Sequence, residues 1–324
     1  MKLLLPIFLF LHACAFAQED PSTLSAALTK DAQADHEKVS RIFQWITDNI
    51  AYRTNAGKVA VIGAATHRFN EEGDDDDSPL LPLDERVARQ VLRTRLAVCD
   101  GYARLFKVLC DYAGIQAEVV IGFARANENR PSPKFGVNHY WNAVFLDGRW
   151  QLLDATWASG HVIRQGNVFV KNYDPTYFLA DPKVFIRDHF PDDPRWTLLP
   201  DNAVPEEFRH SPFRHKSFVK YGITGWYPLR GVIEAQVGEE LVLAIETRDP
   251  QRNKEIAPDL LVDSALFTHS STWVFLEPVE YGSNGSRPVY RYKVENPQVQ
   301  WLYLKYNEDV VLRYKLNVRK KKPV

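Results

Sequence analysis

Cysteine is scarce: the chain has 3 in 324 residues, too few for a disulfide scaffold of that length. A charge excess is missing as well. Lys and Arg number 40 against 41 Asp and Glu, a formal net charge of −1, without the strong basic surplus that holding a phosphate backbone requires. Self-comparison finds no repeat of the solenoid or propeller period, about 20–50 residues. Beyond the N-terminus no apolar run reaches the ~18 residues of a membrane span. What is present is an ordinary globular composition, 45% hydrophobic and 25% charged. It excludes a chain disordered throughout and can bury a core in each of two domains, at roughly 150 residues per domain.

Residues 1–17, MKLLLPIFLFLHACAFA, read as a secretory signal: Lys2, an apolar run, then the small-x-small ending Ala15-Phe16-Ala17, with Gln18 as the mature start. Leu11-His12-Ala13-Cys14 is a loose lipobox in which His12 fits poorly, so cleavage after Ala17 is expected over lipidation at Cys14. The expected product is secreted, periplasmic or held in the cell envelope, with no integral membrane segment in the mature chain. It keeps two cysteines, Cys99 and Cys110. Eleven residues apart in one helical stretch, they would be ~16 Å apart, beyond the ~7 Å reach of a disulfide. Free thiols are uncommon in oxidising compartments, so one of them is expected to have a function.

Residues 18–34 are polar and alanine-rich, a flexible leader into the amphipathic helix expected at 36–50, where Val39, Ile42, Phe43, Ile46 and Ile50 follow helical spacing. The acid run at 71–77 lies in a Gly- and Pro-punctuated stretch, 54–82, without the spacing of a calcium loop, and reads as solvated loop. A short helix at 84–94 precedes a longer one at 98–114, with Gly114 as its stop. Cys110, inside that helix, reads as a buried structural thiol. A strand at 117–124 and a polar loop at 125–137 lead to strands 139–146 and 149–156, joined by Asp147-Gly148, a hairpin signal. After the proline-rich stretch at 174–200 the chain turns to short β segments, an all-β, sandwich-like pattern. Trp226, Trp273 and Trp301 are expected in its core, and the basic end at 319–322 in solvent.

Cys99 stands at the start of its helix, where unpaired N–H groups and the helix dipole favour a thiolate. With a two-residue Asp147-Gly148 loop, facing residues of the hairpin have numbers summing to 295. His139 and Asp154 then share one face as diagonal neighbours, near enough for a carboxylate–imidazole hydrogen bond. That face also carries Trp141, Ala143, Phe145, Trp150 and Leu152, and the Cys99 helix is expected to cover it. A nucleophile, a base and an orienting acid would then meet by packing alone.

These residues carry a resemblance. Cys99-Asp100-Gly101-Tyr102-Ala103 at a helix start, His139-Tyr140-Trp141 on a strand and Leu153-Asp154-Ala155 on the next resemble the transglutaminase-like cysteine superfamily, over about 36–160. IFQWITDNIAY at 42–52 and HFPDDPRWTLL at 189–199 resemble its kyphoscoliosis peptidase-like branch. The resemblance implies an α+β fold: a papain/transglutaminase-like catalytic domain at 18–205, then an all-β sandwich-like domain at 206–324. It implies Cys99 as nucleophile, His139 as general base and acid, and Asp154 as the group orienting His139. The expected activity is thiol-dependent acyl transfer on protein or peptide amides, without cofactor or metal and without nucleic acid. The rival is a binding or cell-envelope structural protein that keeps this fold with an idle triad. A zinc enzyme stands behind both, since no HExxH or paired CxxC motif is present. His67, His161, His215 and His269 are expected on the surface, in packing or in loops.

Overall fold

The structure is a computed structural model that describes residues 20–54, 81–125, 134–163, 168–199, 204–248, 259–263, 274–276, 287–306 and 309–319. The leader at 1–17, the acid run at 71–77, His67, His269 and Trp273 lie outside the described residues. The chain divides into two compact units, Met1–Gln116 with Ser159–Tyr173, and Ala117–Ala158 with Asp174–Val324.

The first unit is built on four helices, α1 (Pro21–Thr29), α2 (Asp35–Asn49), α3 (Leu83–Thr94) and α4 (Cys99–Tyr112). Where a flexible leader is expected, α1 forms: the Asp20 carboxylate accepts from the Ser22 N–H at 3.1 Å, and Pro21 supplies a preset φ at the first helical position. Burial of Leu24 and Ser25 fixes it to the unit, and Ser25 Oγ donates to the Leu109 carbonyl at 2.7 Å. The helical spacing expected in α2 puts Val39, Ile42, Phe43 and Ile46 inside, and Phe43 meets Phe106 of α4 edge to face at 6.5 Å. A short parallel pair, Ala51–Tyr52 with Leu96–Ala97, leads the chain into α4.

In the second unit an antiparallel sheet combines β1 (Ala117–Ala124), β2 (His139–Leu146), β3 (Arg149–Leu153) and β4 (His189–Pro191) in the order β3-β2-β1-β4. The β2–β3 register is the expected one: Asn142 faces Leu153, Ala143 faces Leu152 and Phe145 faces Trp150. Positive φ at Asp147 (51°) and Gly148 (76°) gives the two-residue turn that sets it. Two expectations about this hairpin are corrected. Its second strand stops at Leu153 rather than running to 156, because Ala155–Ser159 turn into a short helix, α5. Phe145 is exposed, and segment 174–199 contributes to the packing on Trp141, Ala143 and Leu152, alongside Val120 of β1 and Trp150. Phe185 is buried there, with Tyr177, Trp196 and Leu198 against it. This segment has no long element of its own; Asp-Pro steps at 174, 181 and 193 nucleate short turns that each deliver apolar side chains.

The C-terminal sheets are built on β5 (Ile223–Tyr227), β6 (Val232–Gln236), β7 (Glu240–Thr247), β8 (Asp259–Asp263), β9 (Val274–Leu276), β10 (Val289–Lys293), β11 (Trp301–Tyr306) and β12 (Asp309–Arg319). One sheet has the order β5-β7-β10; the other runs β6-β12-β11-β8-β9, and Phe213–Arg214 also pairs with β12. Leu243, Ile245 and Tyr290 of the first sheet share one apolar core with Leu302, Leu304, Tyr314 and Leu316 of the second. A second aromatic cluster joins Phe123 of β1 and Phe190 of β4 to Phe135, Phe208, Phe213, Trp301 and Tyr303. Trp301 is thus core, as expected of a strand aromatic. The fold is α+β, a mixed helix–strand region followed by C-terminal β-sheets.

Candidate active site

Cys99 is the first residue of α4 and is half-buried. The helix begins there because Val98 is extended and cannot continue it backwards (φ −93°, ψ 176°). Each residue of the following motif has a packing reason. A Cβ on Gly101 would lie 2.8 Å from the Ala97 Cβ and 3.0 Å from a Val91 methyl, so α4 can approach α3 this closely only with glycine there. Tyr102 is fully buried, and its hydroxyl donates to the Ile50 carbonyl at 2.9 Å, tying α4 to the end of α2.

Cys110 is fully enclosed, and burial, with Asp111 nearby, pushes its thiol well above the usual range. Among the described residues both cysteines are unbridged. Cys110→Ala should therefore cost about 1 kcal/mol of packing and leave any thiol activity intact. Chemical denaturation and a thiol-reactivity assay check this; loss of reactivity in a folded Cys110→Ala protein would assign the reactive thiol to Cys110.

The second unit supplies the ionisable cluster. Asp154 follows the last residue of β3 and caps α5: its Oδ1 accepts from the N–H groups of Thr156 at 2.8 Å and Trp157 at 3.1 Å. Its own N–H donates to the Tyr177 carbonyl at 2.9 Å. One oxygen is committed to the cap, so the other, Oδ2, is held in a fixed direction. His139 Nε2, at the start of β2, donates to Oδ2 at 2.7 Å. His189 Nε2, at the start of β4, approaches the same oxygen at 3.0 Å. All three residues are buried. Burial alone would raise the Asp154 pKa, but the His139 charge and the hydrogen bonds from both imidazoles outweigh it and hold the carboxyl well below its ordinary range. Trp141, Trp157 and His189 pack around the His139 ring at centroid distances of 6.2, 5.6 and 5.5 Å.

The structure thus brings together His139 and Asp154, two of the three residues singled out in the sequence, and Cys99 belongs to the other unit. It adds one the sequence reading missed. His189 sits within a stretch read only as a family resemblance, and strand β4 is three residues long, too short to show a periodicity. The adjacent Asp188-His189 pair ahead of Phe190-Pro191 was the available signal. The ligand-type atoms of His139, Asp154 and His189 lie within 4.8 Å of one another. Both imidazole–carboxylate contacts are at hydrogen-bonding distance and Asp154 spends both oxygens, so the cluster is a hydrogen-bonded network rather than an open coordination site. His161 is exposed, and His215 is half-buried with Nδ1 2.6 Å from Asp192 Oδ1.

Among the described residues no helix is long and apolar enough to cross a membrane. Comparison with known proteins matches residues 22–155 to the Transglutaminase-like superfamily. Kyphoscoliosis peptidase of Mus musculus is 33% identical over 229 residues, 70% of this chain and 31% of its own. The Homo sapiens protein of that name is 33% identical over 68% of this chain and 30% of its own. Hillarin of Drosophila melanogaster is 30% identical over 65% of this chain and 25% of its own. The chain spans about a third or less of the length of these relatives. The motif at the start of α4 and the buried His139–Asp154 pair both fall within or next to the matched region, and the chain belongs to the transglutaminase-like superfamily.

Proposed function

We propose that this is an exported thiol-dependent acyl-transfer enzyme that cleaves protein or peptide amides, with Cys99, His139 and Asp154 as its triad. The observation that carries the reading is the His139–Asp154 hydrogen bond of 2.7 Å, buried and fixed by a capped carboxylate, in a chain with the superfamily's cysteine motif at a helix start. That bond uses Nε2 of His139, so Nδ1 is the nitrogen that would serve a thiol. The Cys99 thiolate attacks the amide carbonyl and forms an S–C bond. As the C–N bond breaks, imidazolium His139 gives its proton to the departing amine. Water, deprotonated by His139, then attacks the thioester; the C–O bond forms, the C–S bond breaks, and the acid leaves with the thiolate restored. Hydrolysis is preferred over crosslinking because water is the nucleophile in vast excess. Export is supported by the signal-like pattern at 1–17. The name peptidase, carried by the relatives of mouse and man, is in keeping with this reading.

Alkylation of the full chain with iodoacetamide from pH 4 to 9, with Cys99 and Cys110 quantified separately by mass spectrometry, tests it. Cys99 should label fast at and below neutral pH, and His139→Ala should slow it by about a hundredfold or more, the usual worth of a positioned base. A Cys99 that labels like an ordinary thiol and ignores His139→Ala would point to the idle scaffold instead.

A further inference from the structure

His189 is fully buried, and both of its ring nitrogens face carboxylates. Nε2 lies 3.0 Å from Asp154 Oδ2 and Nδ1 lies 2.6 Å from Asp188 Oδ1. A carboxylate accepts hydrogen bonds and does not donate them, and a neutral imidazole has only one N–H. Satisfying both contacts therefore takes a proton on each nitrogen. We infer that His189 is a standing imidazolium that bridges Asp154 and Asp188, a positioning residue that shares the Asp154 carboxylate with His139 and lowers the basicity of His139.

The surroundings fit that state. The titratable groups facing His189 are Asp154 and His139 from the ends of β3 and β2, Asp188 beside it, and Tyr177, whose hydroxyl donates to Asp188 Oδ2 at 3.2 Å. The other rings on it are uncharged: Phe185 is stacked at 4.1 Å, with Trp157 at 4.5 Å and Trp141 at 5.1 Å edge to face. Burial disfavours the charge, but the hydrogen bonds to Asp154 and Asp188 outweigh it and hold the His189 pKa above the ordinary value. A lone anion beside His139 would stabilise its imidazolium fully. A carboxylate already half-neutralised by a second imidazolium stabilises it less, which brings His139 towards the near-neutral basicity that suits both halves of a proton transfer. The consequence for catalysis rests on the thiol-enzyme reading; the protonation state does not.

Nitrogen NMR of the full chain labelled with ¹⁵N-histidine separates the two. At pH 7.5 His189 should show two protonated ring nitrogens, with its resonances identified by their loss in His189→Gln. In that variant His139 should titrate at higher pH than in the wild type, and the basic limb of the Cys99 alkylation profile should move up with it. Asp188→Asn, a change at a partly exposed residue, leaves a neutral acceptor and should make His189 lose its second proton at lower pH. It also assigns the resonances if His189→Gln does not fold. A single-protonated His189 at pH 7.5, or a His139 titration unmoved in His189→Gln, overturns the inference. An unreactive Cys99 beside a doubly protonated His189 would uphold the bridge and reject the enzyme reading instead.

Discussion

Replacing Asp154 by alanine is expected to destabilise the fold by about 3–5 kcal/mol, the cost of stripping one partner from a buried charged network, and, on the proposed thiol-enzyme reading, to lower turnover on the order of a thousandfold or more. The effect is large because one side chain holds three things at once. Its Oδ1 caps α5, its Oδ2 orients His139, and the same Oδ2 receives His189. Loss of the cap alone costs about 1 kcal/mol. Asp154→Asn separates the parts: an amide oxygen can still cap α5, so more stability should survive while turnover falls nearly as far. The sign of the pH dependence follows from the two shifts. The Asp154 carboxyl is held below its ordinary value, so its contribution is complete above about pH 4 and is lost as pH falls through the folded value. His189 is held above its ordinary value, so its contribution is complete below about pH 6.5 and is lost as pH rises through the folded value. The stability gap between wild type and Asp154→Ala should thus be widest between about pH 4 and 6.5 and narrow on both sides. Urea denaturation at a series of pH values reads it directly. A gap below about 1 kcal/mol throughout would mean that the network contributes no more than a surface pair.

What could be read in the sequence had short range. The β2–β3 register follows from two turn residues, because a period of two leaves no freedom once Asp147 and Gly148 fix the loop. The buried stripe of α2 follows from its 3.6-residue period. The misses come from tertiary context or from caps. Helix α1 has little amphipathic pattern, and its Asp20-Pro21 start was the only local cue. Asp154 reads as a strand residue, although Asp is equally a preferred helix N-cap; the diagonal contact with His139 forms nonetheless, since the cap uses Oδ1 and leaves Oδ2 to His139. Strand β5 shows no clean alternation, because its pairing with β7 slips between Ile223 and Gly225. The contact of His189 with Asp154 is beyond local reading: 35 residues separate the two, and only the folding back of 174–199 joins them.

That folding back sets the outcome of a truncation. The family resemblance implies a catalytic domain at 18–205, separate from the β domain, but a chain ended at 205 is expected to lose cooperative folding of its sheet. The cut passes through a single aromatic cluster. Phe135 packs edge to face on Phe208 at 4.8 Å and on Phe213 at 5.1 Å, and Phe190 meets the same two rings at 5.3 and 5.4 Å. Phe123, Phe135 and Phe190 would be left against water, at a cost of up to about 1.5–3 kcal/mol each, comparable in sum with the whole stability of an ordinary domain, roughly 5–15 kcal/mol. Polar ties go with them. Arg313, buried in β12, donates to the carbonyls of Pro191 at 3.3 Å and Asp192 at 2.6 Å, and Arg125 pairs with the buried Glu207 at 3.1 Å. Arg214 exchanges backbone hydrogen bonds with Phe135 and Val137. Most of these partners anchor β4, the strand that begins with His189, so the Asp154 network should loosen even where helices persist. Far-UV circular dichroism, a hydrophobic dye and urea titration of residues 18–205 test this, with dye binding and a broad, non-cooperative transition expected. A sharp transition with a midpoint close to that of the full chain would show that the cluster reseals without its second half, and would restore the independent catalytic domain.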